Sequence, residues 1–172
     1  MTRLTLSLLA LIVGTTSVSA AISDVADAAK RRDRAGVRAA ISRKADVNAP
    51  HVDGTTALHW AVEYDDLEMT DLLLQAGARV GARTREGVTP IQLAAINGSG
   101  RMLDRLLKAG ADPNAVLTPL GDTALMMAAR TGNTEAVRIL VEAGGNVNAR
   151  ETWGGTTPLM WAVTEGHVDA AG

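Results

Sequence analysis

The chain has no cysteine and no phenylalanine, and among its 172 residues only Trp60, Tyr64, Trp153 and Trp161 carry large aromatic rings. Without cysteine there is no disulfide, no thiolate metal site and no lipid-modified N-terminal cysteine, so the fold is held by packing alone. No run rich in β-branched and aromatic residues reads as a set of strands. The core therefore falls to Ala, Leu, Val, Ile and Met, small apolar side chains that suit closely packed helices. Charge of one sign is also missing, since the formal net charge is only −2. The densest positive stretch, Lys30-Arg31-Arg32 with Arg34, Arg38, Arg43 and Lys44, is interleaved with Asp24, Asp27, Asp33 and Asp46. Such a stretch reads as a solvated helix face and not as a nucleic-acid patch.

The machinery of chemistry is equally sparse. No GxxxxGK[ST] phosphate loop occurs. The three histidines, His51, His59 and His167, have no acid or nucleophile in register with them. No catalytic residue, cofactor or metal site is expected.

Nor is there an apolar run of the roughly 20 residues that a membrane-spanning helix needs. The longest, Leu4 to Val13, follows Arg3 and precedes Val18 and Ala20, which stand at the −3 and −1 positions of a cleavage after Ala20. A positive start, a short apolar stretch and small residues form the pattern of a secretory leader over residues 1–20. The mature chain is then periplasmic or secreted, with no stable membrane insertion; the alternative is an uncleaved anchor.

What the chain does have is repetition. "GTTALHWAV" from Gly54, "GVTPIQLAA" from Gly87, "GDTALMMAA" from Gly121 and "GTTPLMWAV" from Gly155 align, with Thr56, Thr89, Thr123 and Thr157 spaced 33, 34 and 34 apart. A second phrase recurs between them as "QAGARVGAR", "KAGADPNAV" and "EAGGNVNAR". The threonines sit where a helix N-cap belongs, with Pro90 and Pro158 at the first helical position. Gly98, Gly132 and Gly166 suit the left-handed C-terminal cap of a short first helix, and Asp65 takes that place in the first unit. A second helix follows, with Ala136, Val137, Leu140 and Val141 as an apolar stripe in the third unit. Each unit is thus helix, turn, helix and projecting loop.

Thr-Pro/Ala-Leu-x-x-Ala at a period near 33, closed by "AGADPNA", resembles the ankyrin repeat. Only His59 keeps the family's histidine after leucine; Gln92, Met126 and Met160 replace it. The resemblance implies an all-α fold, an ankyrin-repeat solenoid of helix-turn-helix units with projecting β-turn loops. Residues 21–50 form an N-terminal capping repeat, residues 51–83, 84–116 and 117–150 form three repeats, and residues 151–172 form an incomplete fourth. The chain is expected to be an exported, bacterial member of the family and a C-terminally truncated fragment, with "LMWAVTE" supplying the buried face of the fourth repeat.

The resemblance also implies a non-catalytic module that binds a protein partner on a concave face of loop tips and first helices. Mapped onto this chain, that surface is Val52, Asp53, Glu63 and Tyr64, then Arg83, Arg85, Glu86, Val88 and Asn97. It continues with Val116, Leu117, Leu120, Asp122, Arg130 and Thr131, and ends with Thr152, Trp153, Thr156 and Glu165. Loops three and four each hold one extra residue, displaying "VLTPL" and "ETWG". Leu117, Leu120 and Trp153 then either form an apolar spot flanked by Arg83 and Arg85, or fold back over neighbouring loops. Two other functions stay open: a segment of a longer protein with a further domain beyond residue 172, or an inhibitor or immunity protein that blocks a partner enzyme.

Overall fold

The computed structural model describes residues 24–116, 118 and 120–171. The expected leader over residues 1–20 and the candidate Leu117 lie outside the described residues. Within them the chain folds into ten helices and no strand: α1 (Asp24–Lys30), α2 (Arg34–Ser42), α3 (Ala57–Glu63), α4 (Leu67–Gln75), α5 (Pro90–Asn97), α6 (Gly100–Lys108), α7 (Ala124–Thr131), α8 (Thr134–Glu142), α9 (Pro158–Thr164) and α10 (Val168–Ala171). The helices pair antiparallel, and the pairs stack. The first helices α1, α3, α5, α7 and α9 form one row, and α4, α6, α8 and α10 form a second.

Local chemistry sets the helix ends. The Thr89, Thr123 and Thr157 hydroxyls accept the N–H groups of Gln92, Met126 and Met160, satisfying one orphan donor at each first-helix start. Second helices are opened in the same way by Asp33, Asp66, Ser99 and Asn133. First helices end where the chain turns left-handed, at Gly98 and Gly132 and, without glycine, at Arg32 and Asp65.

Alanine decides the spacing of the inner row. In α7, Ala124, Ala128 and Ala129 are buried beside Leu125, Met126 and Met127, because α5, α8 and α9 contact the helix from three sides. Small side chains let three neighbours approach, while the methionines fill the irregular gaps left between them. In α6 the large apolar residues Met102, Leu103 and Leu106 are fully buried.

The fourth unit departs from expectation. Of "LMWAVTE", only Ala162 is buried; Leu159, Met160 and Val163 are exposed, since no described helix packs on their side. In the third unit's stripe, Ala136 and Leu140 are buried, Val137 is half-buried and Val141 is exposed.

Side chains tie one repeat to the next. His59 Nδ1 accepts from the Thr56 N–H (3.2 Å) and contacts its hydroxyl (2.9 Å), so Nε2 carries the proton donated to the Val88 carbonyl of the next repeat (3.1 Å). In the next unit Gln92 holds this position, and its Oε1 is buried without a partner. Burial pushes the His59 pKa below the ordinary 6.5, against the smaller upward pull of the Val88 carbonyl. The unfolded chain therefore binds this proton more readily than the folded one. The resulting stability is complete above about pH 6.5 and is lost as the pH falls towards the lower folded value. Urea unfolding at stepped pH is expected to show wild type losing more stability than His59→Gln on acidification from neutral pH to pH 5. Parallel losses in the two proteins would assign the acid sensitivity elsewhere.

Candidate functional site

The loops between units project from the end of the stack where the first helices begin, and each loop leans on the next. The Arg85 N–H donates to the Asp53 carbonyl (2.8 Å), and the Thr152 N–H and hydroxyl both donate to the Leu120 carbonyl (2.6 and 2.9 Å). Loop two is thereby fixed to loop one, and loop four to loop three.

The fourth loop is built around an acid that the sequence pattern did not single out. Glu151 is buried at 7% exposure, and its carboxylate accepts the N–H groups of Trp153 (2.6 Å), Gly154 (2.7 Å) and Thr156 (3.0 Å). These bonds, that of Thr156 foremost, hold its pKa down to about 2. In loop two Thr84 does a smaller version of the same work, its N–H bonding the Val88 carbonyl and its hydroxyl accepting the Val88 N–H. The longer arm of glutamate spans the extra residue of loop four. The visible signal was an acid two positions before Trp153 and three before Gly154; the Gly155 N–H instead bonds the Glu151 main-chain carbonyl (3.2 Å).

Trp153 stands at 90% exposure at the tip of this clamped loop. It does not fold back over its neighbours. Val52 is 81% exposed on loop one, and Val116 and Leu120 are about half exposed on loop three. Loop two contributes the exposed Arg85 and Glu86. Glu63, Asn97, Arg130, Thr131 and Glu165 are exposed at the ends of the first helices.

Several candidates are occupied within the fold. Arg83 is exposed, but its Nη1 donates to the Val116 carbonyl (2.9 Å). Asn97 donates to the carbonyls of Val62 and Glu63, bracing α5 against α3. Val88 is half-buried beneath loop two, and the Asp122 carboxylate accepts the Thr118 hydroxyl (2.8 Å). Asp53 accepts the Thr55 N–H, which holds its carboxyl below the usual range. Tyr64 stacks on Trp60, donates its hydroxyl to the Lys30 carbonyl and lies under the Arg32 guanidinium, pinning the capping repeat to the first repeat. Arg130 rests over the Trp161 ring, 5.6 Å from its centroid.

Among the described residues of this surface, reactive groups do not converge. His51 donates to Asp27 (3.0 Å) and accepts the Trp60 indole N–H (3.4 Å), an arrangement that braces the capping repeat. Among the described residues no group of three or more His, Asp or Glu is placed to hold a metal ion, and no helix is long and apolar enough to cross a membrane.

A family profile described as "Ankyrin repeats (3 copies)" matches residues 25–116 and again residues 91–171. The chain is an ankyrin-repeat protein. Three relatives illustrate the range of proteins that carry the fold. The chain is 45% identical over 75 residues to the nuclear factor NF-kappa-B p105 subunit of Mus musculus, covering 42% of this chain and 8% of that protein. It is 39% identical over 88 residues to Protein PhlB of Serratia liquefaciens, covering 51% and 38%. It is 35% identical over 74 residues to protein phosphatase 1 regulatory subunit 27 of Mus musculus, covering 43% and 48%. The chain thus spans less than half the length of each of these relatives. Ankyrin repeats mediate protein–protein contact and are typically non-catalytic.

Proposed function

We propose that this ankyrin-repeat protein is a non-catalytic binding module for a protein partner, acting outside the cytoplasm through its loop tips and the exposed ends of its first helices. The observation that carries the reading is Trp153, a fully presented indole on a loop whose backbone is fixed by the Glu151 carboxylate. Burying a large, pre-ordered side chain costs little conformational entropy, which is why such residues dominate binding energy. Export is supported by the leader pattern of residues 1–20, and the absence of cysteine suits a fold that needs no oxidation to mature. The mature chain, beginning at Ala21, is to be immobilised and exposed to the exported fraction of its own cells. One protein retained saturably and at fixed stoichiometry is the expected result, and retention of nothing beyond the bare support refutes the reading. A projecting indole also suits insertion into a cleft, which favours an inhibitory role as the second reading. A retained hydrolase whose turnover the chain suppresses decides for inhibition.

A further inference from the structure

The run that closes each unit carries an internal precedent for ligand recognition. Asn48 donates Nδ2–H to the Gly77 carbonyl (3.0 Å) and its Oδ1 accepts the Arg79 N–H (2.7 Å). Asn114 repeats the arrangement with the Gly144 carbonyl (2.9 Å) and the Asn146 N–H (2.7 Å). In both cases one side-chain carboxamide spans a carbonyl and an N–H two residues apart on the following repeat.

Gly81 stands midway, 33 residues after Asn48 and 33 before Asn114. The backbone pair it would serve, the Gly110 carbonyl and the Asp112 N–H, bonds to no described residue. A Cβ built on Gly81 meets nothing within 4 Å. The space is open to solvent as a recess of about 400 Å³, walled by Val80, Ile91, Ala111 and Ala115 and completed by the hydrogen-bonded pair Arg83 and Val116. The Asp46 and Asp112 carboxylates accept the N–H groups of Asn48 and Asn114; Arg79 takes the corresponding place before Gly81.

The chemistry of the pair is selective. It needs a donor and an acceptor side by side on one edge of the ligand. A single trans peptide bond points its N–H and C=O to opposite edges; one residue of an extended backbone shows both on one edge, but the two occupied pairs on this stack each take a side-chain carboxamide. A carboxylate has acceptors only and would face the Gly110 carbonyl with like polarity, while a guanidinium or ammonium has donors only. A primary carboxamide has both, as Asn48 and Asn114 demonstrate. We propose that the Gly81 recess is a subsite for an Asn or Gln side chain of the protein partner, a proposal that rests on the protein-binding reading above. The aliphatic stem lies against Val80, Ile91 and Ala115, and the amide bridges Gly110 and Asp112.

The subsite is tested without the partner by amide-resolved NMR of the full chain, with acetamide as the probe and acetate as its isosteric control. A saturable shift of the Asp112 amide with acetamide but not with acetate is expected. Gly81→Asn, which supplies the carboxamide from the chain itself, abolishes it, as does Gly81→Leu, which fills the recess without an amide. No shift with acetamide, an equal shift with acetate, or a shift that survives both substitutions overturns the proposal. For a captured partner, Gly81→Asn is expected to weaken binding about tenfold while the fold is retained or stabilised. A partner bound equally by wild type and Gly81→Asn overturns the subsite and leaves the protein-binding reading standing. Capture of nothing by either chain refutes that reading, and the acetamide result then decides the subsite alone.

Discussion

Alanine at Gly54 is expected to destabilise the protein by about 3 kcal/mol, whereas the equivalent Gly121→Ala costs about 1 kcal/mol. The two glycines occupy the same position in their loops and nearly the same left-handed conformation, with φ of +86° and +87°. A side chain pays the left-handed penalty at either position. The difference lies in what the new Cβ meets. At Gly54 it comes within 2.9 Å of the Thr84 Cα and 3.0 Å of the Arg85 nitrogen, both backbone atoms of the next loop. Backbone cannot swing aside as a side chain can, so loop two must shift and the 2.8 Å bond from the Arg85 N–H to the Asp53 carbonyl is lost with it. At Gly121 the nearest atom is the Glu151 Cα at 3.5 Å, an ordinary contact. The single extra residue in loops three and four relaxes the approach that loops one and two make tightly. Urea denaturation of both variants provides the measurement; equal losses would show that backbone conformation alone sets the cost.

That contrast marks how far the sequence was legible. The repeat, the helix pairs and the caps follow from threonine, proline and glycine at fixed phase, because each acts on its own few residues. His59 was legible as the family's histidine after leucine, but its bond to the Val88 carbonyl of the next repeat was not. Contacts that depend on a particular loop's length were not readable. Nothing in the period announces that Glu151 turns inward to collect three N–H groups, or that Arg83 reaches the Val116 carbonyl instead of facing outward. Asn97, a candidate for a partner, braces α5 against α3 because its amide nitrogen reaches the Val62 and Glu63 carbonyls at the C-terminal end of the neighbouring helix. The periodic residues specify the scaffold, and the few that break the period decide which surface groups remain free.

Trp153 is the clearest such group, and its removal should separate binding from stability. Trp153→Ala is expected to weaken partner binding at least about 30-fold, the loss of roughly 2 kcal/mol typical of an anchoring residue, while unfolding free energy changes by less than about 0.5 kcal/mol. A side chain that is 90% exposed contributes almost no packing to its own fold. Glu151→Ala keeps the indole but releases the three N–H groups that aim it, so it too should weaken binding. Combining it with Trp153→Ala should then cost little more than Trp153→Ala alone, because clamp and anchor act as one unit. Acid gives an independent handle. The Glu151 pKa is depressed from the usual 4.5 to about 2, so the clamp's contribution to stability is complete above the unfolded value and declines as the pH falls from there through about 2, while the folded carboxylate itself stays ionised until near the lower value. Binding through this loop should therefore survive from neutral pH to pH 4 as far as Glu151 governs it, even as His59 begins to erode the stability of the first repeat. Unchanged binding by Trp153→Ala, with a clear loss of stability, would show instead that the indole serves the fold and that the partner docks elsewhere.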